Sequence, residues 1–148
     1  MTRLLAGICL ALMLAPAYPL TAQQSYAAAV GTESNNQHKL VWQGGRLYFT
    51  YTRAVRGVPQ VFVDVSADGP AWQSLGQATT GAGPATLSTL AVDRQGRVHV
   101  AWTDFSTGAG AVQYHQYDSR WGRPVRLSSN LPYAGYPSLD VDRNNRLH

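Results

Sequence analysis

The stretch LAVDRQGRVHVAW, Leu90 to Trp102, returns at the end of the chain as LDVDRNNRLH, Leu139 to His148. Asp93 recurs as Asp142 and Arg97 as Arg146, each 49 residues later, and Gly96 and Asn145 occupy the same slot. A weaker copy lies upstream, where LVWQGGRLYFTY, Leu40 to Tyr51, places Gly45 and Arg46 beneath Gly96 and Arg97 at a spacing of 51 residues. Trp72 and Trp121 repeat at the same period as the aspartates. Within each copy the residues alternate. Val98, Val100 and Trp102 fall on one face of a strand and His99, Ala101 and Thr103 on the other, as Leu47, Phe49 and Tyr51 alternate with Tyr48, Thr50 and Thr52. A repeat of about 40 to 50 residues built from short strands is the period of propeller blades, each a four-stranded antiparallel sheet. The expected fold is therefore all-β, with two complete blades and the start of a third.

Working outward, first strands are expected at Leu40 to Trp42, Leu90 to Val92 and Leu139 to Val141. The links DRQGR and DRNNR carry Asp, Gly and Asn for tight hairpins with positive φ. Third strands follow at Val61 to Val65 and Val112 to Tyr117, after the loops RAVRGVPQ and DFSTGAGA. Fourth strands begin near Trp72 and Trp121. Gly83-Pro84 and the segment from Leu131 to Pro137 carry the chain onward. The units run over 39–83, 84–133 and 134–148, preceded by a polar lead segment at 23–38.

Composition agrees with strands and turns. The chain has 148 residues, 14 Gly, 8 Pro, 8 Tyr and 4 Trp, a mixture that excludes helix bundles and coiled coils. Only 14% of residues are charged, against roughly 25% in average soluble proteins. The net charge of +4 comes from scattered arginines rather than a basic stripe, so nucleic acid is not an expected partner.

The N-terminus follows the order of a secretory signal. Arg3 precedes the apolar run Leu4 to Leu14, then small residues and Pro16 and Pro19. Eleven apolar residues are fewer than the roughly 20 that span a bilayer, so a cleaved signal over 1–22 is expected, cut after Ala22 in preference to the alternative site after Ala17, with no membrane anchor afterwards. Cys9, the one cysteine, lies inside that run, leaving a secreted or periplasmic protein without disulfides.

These residues resemble the repeats of secreted bacterial propellers of the sialidase (neuraminidase) superfamily, the BNR or Asp-box proteins. The resemblance covers Leu40 to His148 as a repeat style. An Asp box reads S-x-D-x-G-x-T-W. SADGPAW, Ser66 to Trp72, keeps Ser66, Asp68, Gly69 and Trp72 with one residue fewer, and YDSRWG around Asp118 and Trp121 is a weaker copy. The resemblance implies a structural turn between third and fourth strands. Active members of that family use three arginines on the substrate carboxylate, a tyrosine paired with a glutamate, and an aspartate acid/base. Here the F/Y-R-I-P motif is missing, YTRAV supplies Arg53 alone, and the single glutamate, Glu33, sits in the lead segment. A non-catalytic glycan- or protein-binding propeller is the leading expectation. The alternative is the N-terminal piece of a secreted sialidase-like glycoside hydrolase whose catalytic residues lie beyond His148. A propeller closes with about 4 to 8 blades, so further blades or self-association are expected to complete a ring.

Asp93 and Asp142 are read as caps of their turns. Arg97 and Arg146 are read as a repeated structural contact toward a neighbouring blade. His99 and His148, with Tyr48 in that slot of the first unit, are read as rings packed between sheets. Trp72 and Trp121 belong to the same repeated framework. The ligand-binding candidates are Tyr114, His115 and Tyr117 on the third strand, Asp104 on a rim loop, and Arg53, because aromatic faces and fixed polar groups together suit sugars. No cofactor is expected, and no metal, since His38 and His115 lack ligand spacing.

Overall fold

The computed structural model describes residues 38–148. The expected signal segment, and the polar lead segment apart from His38, lie outside the described residues. Among the described residues there are nine strands and no helix: β1 (Leu40–Gln43), β2 (Arg46–Val55), β3 (Val58–Ser66), β4 (Gln73–Gln77), β5 (Ala85–Val92), β6 (Val98–Asp104), β7 (Ala111–Asp118), β8 (Arg120–Trp121) and β9 (Val125–Arg126). They form two antiparallel sheets, β1-β2-β3-β4 and β5-β6-β7-β8, with β9 also pairing β7. Since β8 pairs Tyr117 and Asp118 while β9 pairs Gln113 and Tyr114, the two short strands act as successive pieces of one fourth strand.

Local residue chemistry sets the hairpins. Gly44 and Gly45 both have positive φ, 58° and 75°, between paired Gln43 and Arg46. The expected loop RAVRGVPQ is instead almost entirely strand. β2 runs to Val55 and β3 starts at Val58, with Arg56 and Gly57 alone making the turn at φ 51° and 82°. Two consecutive positive-φ residues form the type I′ turn whose twist matches that of paired strands, so β-branched Val55 and Val58 continue the ladder right up to it.

The two sheets pack face to face. Val61, Val63 and Val65 of β3 and Tyr48 of β2 meet Leu90 and Val92 of β5 and Val98, Val100 and Trp102 of β6 in one buried cluster. Burial of each aliphatic side chain of this kind contributes about 1.5–3 kcal/mol. Hydrogen bonds bridge the sheets: Trp121 Nε1 donates to Leu75 O at 2.9 Å along one edge, and Thr50 Oγ1 to Ser88 Oγ at 3.1 Å in the interior.

The opposite face of the second sheet is covered by the third unit. Leu139 packs on Ala91 and Ala101, with Val141 beside it, while Tyr136 N donates to Thr103 Oγ1 and Ala134 N to Gly110 O. Val141 and Leu147 form an isolated antiparallel bridge, to which the strand expected at Leu139 to Val141 is reduced. The stacking thus proceeds in one direction. The Tyr48/Thr50 face of one unit meets the Val98/Val100 face of the next, and the Ala101/Thr103 face of that unit meets Leu139.

Candidate functional site

The repeated turn is built around Asp93. Its Oδ1 accepts the backbone N–H groups of Gln95 (3.0 Å) and Arg97 (2.9 Å). Its Oδ2 accepts the Arg97 guanidinium and faces His99 Nε2 at 3.3 Å. Asp142 repeats every one of these bonds with Asn144, Arg146 and His148. Asp93 is buried, and burial works to raise its pKa, but the hydrogen bonds from Arg97 and His99 outweigh that and hold it below the ordinary carboxylate value. Asp142 is pulled down to about 2, chiefly by the Arg146 backbone N–H. The turn-capping role read for both aspartates is thus what the geometry contains. Arg97 and Arg146, expected to reach a neighbouring blade, instead fold back onto the carboxylate four residues earlier, because the five-residue hairpin brings the guanidinium against that oxygen.

His99 is not a ring merely packed between sheets. With an ionised Asp93 on one side, His99 Nε2–H donates to the carboxylate, and Nδ1 accepts the Tyr114 hydroxyl at 2.7 Å. The two rings also stack, 6.1 Å between centroids. Burial raises the Tyr114 phenol above its ordinary pKa, so the Asp93–His99–Tyr114 chain holds a protonated tyrosine rather than an activated one.

The third-strand trio does not form one surface. Tyr114 pairs with Ala101 and faces the third unit, whereas His115 and Tyr117 pair with Val100 and Val98 and face the first sheet. Strand pleating sends adjacent residues to opposite sides. His115 is fully buried, its centroid 5.0 Å from Trp121 and 6.4 Å from Trp102, with Nδ1–H donating to Ala78 O at 2.7 Å. Its Nε2 is buried without a partner. Tyr117 packs edge-on against Trp121.

Arg53 lies elsewhere, on the far side of the first sheet, with its guanidinium 3.9 Å above the Phe62 ring. Phe62, Tyr51, Phe49 and Trp72 continue as a row of ring contacts with centroids 5.6 to 6.0 Å apart. Asp64 has one buried, unpartnered carboxylate oxygen beside this row. Burial and the Asp64 carboxylate push the Tyr51 phenol up to about 12. Ser66 to Trp72 forms the β3–β4 turn: Ser66 Oγ accepts Gly69 N–H at 2.8 Å and Asp68 Oδ1 accepts Ala71 N–H at 3.1 Å. An open depression of about 310 Å³ lies along that turn beside Arg46 and Trp72.

A narrower cavity of about 180 Å³ lies where the two sheets meet at one end, and Asp104 lines it. Gln60 of β3, Thr79, Thr80, Trp102 of β6 and Gln113 of β7 complete its polar and aromatic wall. Its first-sheet side is firmly held. Gln60 Oε1 accepts Thr79 Oγ1–H at 2.5 Å and Gln77 Nε2–H at 3.2 Å, while Gln60 Nε2 donates to Gly83 O at 2.9 Å. The second-sheet side is looser. Asp104 Oδ1 accepts Ser106 N–H at 2.8 Å, but Oδ2 and Gln113 Nε2 stand 3.5 Å apart. Gln113, not singled out in the sequence, shares the inward face of β7 with His115 and Tyr117, where its alternation with them could have pointed to it. Gln60 and Thr79 carried no such signal, since only the packing of one sheet on the other brings them to Trp102.

Neither the protein-family models nor the curated proteins compared with this chain give a match.

Proposed function

We propose that the chain is a section of an exported β-propeller of the sialidase type that binds glycan without catalysing its hydrolysis. The observation that carries the binding reading is the cleft between the sheets, whose wall combines an indole, two amides, two hydroxyls and one carboxylate. Such a wall supplies donors and acceptors in fixed positions beside an apolar surface, the makeup of a small-ligand site. The recurring carboxylates and imidazoles are engaged elsewhere, in the turns of Asp93 and Asp142. Tyr51 and Tyr114, the tyrosines beside carboxylates, are raised in pKa, the reverse of what an activated nucleophile needs.

The blade reading draws support from the direction of stacking. By repeat position Leu47 corresponds to Val98, Phe49 to Val100, Tyr51 to Trp102 and Trp72 to Trp121, so the far face of the first sheet matches a face that the second sheet buries. A further sheet of the same repeat is the complementary occupant of that face, supplied by more blades or by another copy. Export rests on the Arg3 to Ala22 segment.

The test is to pass a glycan panel over the immobilised full chain and to incubate the same protein with a fluorogenic sialoside. Retention of glycans without fluorophore release is the expected result. Sustained release would overturn the non-catalytic reading in favour of a glycoside hydrolase, and retention of proteins alone would replace glycan with a protein ligand.

A further inference from the structure

The geometry points to the cleft at Asp104 and Gln113 as a site for one neutral sugar ring that discriminates against sialic acid and other anionic sugars. This rests on the glycan-binding reading and names its ligand class and residues. A volume of about 180 Å³ falls below the roughly 300–1,000 Å³ of pockets for drug-sized ligands and suits a single ring.

Charge decides which ring. Among the described residues, the one ionisable group lining the cleft is the Asp104 carboxylate, and no arginine, lysine or histidine of them lines the wall beside it. A carboxylate-bearing sugar would bring like charge against Asp104 with no fixed cation to offset it. A neutral sugar meets no such opposition. Asp104 Oδ2 is an acceptor that faces Gln113 Nε2 at 3.5 Å, too far for a strong bond. Two neighbouring hydroxyls inserted there satisfy both groups: one donates to Asp104 Oδ2, and the other accepts from Gln113 Nε2–H. Hydroxyls act as donor and acceptor at once, so a vicinal pair matches a carboxylate set beside an amide.

The rest of the wall is preorganised. The Gln60 amide is fixed by Thr79, Gln77 and Gly83, so ligand entry does not have to order it. Trp102, itself buried, forms the apolar floor of the cleft.

The test uses the full chain, titrated with methyl glycosides of galactose, glucose, mannose and N-acetylglucosamine, and with N-acetylneuraminic acid, followed by tryptophan emission and calorimetry. Asp104→Asn keeps the acceptor for Ser106 N–H and the side-chain shape, and Gln113→Ala removes the amide. Arg143→Ala, in the exposed turn of the third unit, is the comparison variant, and circular dichroism establishes that each variant is folded. Expected are saturable binding of at least one neutral glycoside, loss of tenfold or more in affinity in both cleft variants, and unchanged affinity in Arg143→Ala. Neutral-sugar binding untouched by both cleft variants overturns this site while leaving glycan binding by the chain intact. Tighter binding of N-acetylneuraminic acid, lost in Asp104→Asn, overturns the charge assignment. Binding of no glycan, in this titration or on the panel, overturns the functional reading together with the site.

Discussion

The side chain of Asn145 accepts the backbone N–H of Arg94 at 2.8 Å, joining the turn of the third unit to the equivalent turn of the second across 51 residues of chain. Its amide N–H₂ donates to Gln95 Oε1 at 2.6 Å. Asn145 sits at φ 63° in the slot that Gly96 fills at φ 80°. Asparagine tolerates that conformation and brings a side chain that glycine lacks, so one position serves both the turn and the stacking of units.

Replacing Asn145 by Gly keeps the turn and removes only the bridge. The expected cost is about 1 kcal/mol, the usual net worth of an exposed hydrogen-bonded contact of this kind. Hydrogen exchange should then quicken at Arg94 N–H while the Asp93 cap stays protected. Unchanged exchange at Arg94 would show that the bridge carries no stability.

The two aspartate turns predict different responses to substitution and to acid. Removing the buried Asp93 by Asp93→Ala strands the Gln95 and Arg97 N–H groups and the His99 N–H, and should cost about 3 kcal/mol in denaturant unfolding. Asp142→Ala, at a carboxylate more open to solvent, should cost less. Because Asp142 titrates lower in the folded chain (about 2) than its ordinary 3.8, the unfolded chain binds more protons in between. Its contribution is therefore complete above about pH 4 and lost as pH falls toward 2. Stability measured from pH 5 to pH 2 should fall less steeply in Asp142→Asn than in the parent chain, and equal slopes would exclude this linkage.

His115 occupies the inter-sheet core with its Nδ1–H on Ala78 O and its ring between two indoles. His115→Ala leaves a cavity and an unpaired carbonyl, and should cost about 3 kcal/mol. Tryptophan emission should move to longer wavelength as water reaches Trp102 and Trp121. His115→Phe preserves most of the volume and should cost about 1 kcal/mol, with little spectral change.

The β2–β3 turn isolates a backbone effect. A Cβ placed on Gly57 meets nothing within 4 Å, yet φ there is 82°. Gly57→Ala should therefore lower stability by about 1 kcal/mol through torsional strain alone, and Gly57→Asn by less. Equal melting temperatures for the parent chain and both variants would mean that the turn relaxes without cost.

Much of this architecture is written locally. Pleating assigns Val98, Val100 and Trp102 to one face and His99, Ala101 and Thr103 to the other whatever surrounds them, and Asp93 with Gly96 encodes a hairpin within five residues. The period shared by Asp93 and Asp142 was visible for the same reason: short-range chemistry repeats when the sequence repeats. The separation of Tyr114 from His115 follows from that pleating as well. RAVRGVPQ read as a loop because glycine and proline suggest one, whereas cross-strand pairing around Arg56 and Gly57 extended both strands through it. What each face would meet lay beyond any local pattern. His99 found Tyr114 and Asp93 through strand register, Asn145 found Arg94 through the docking of the third unit, and Gln60 and Thr79 came to Trp102, Asp104 and Gln113 only when one sheet settled on the next. Local torsions and alternation fix which side chains share a surface, but the burial of apolar area between sheets selects which surfaces come together.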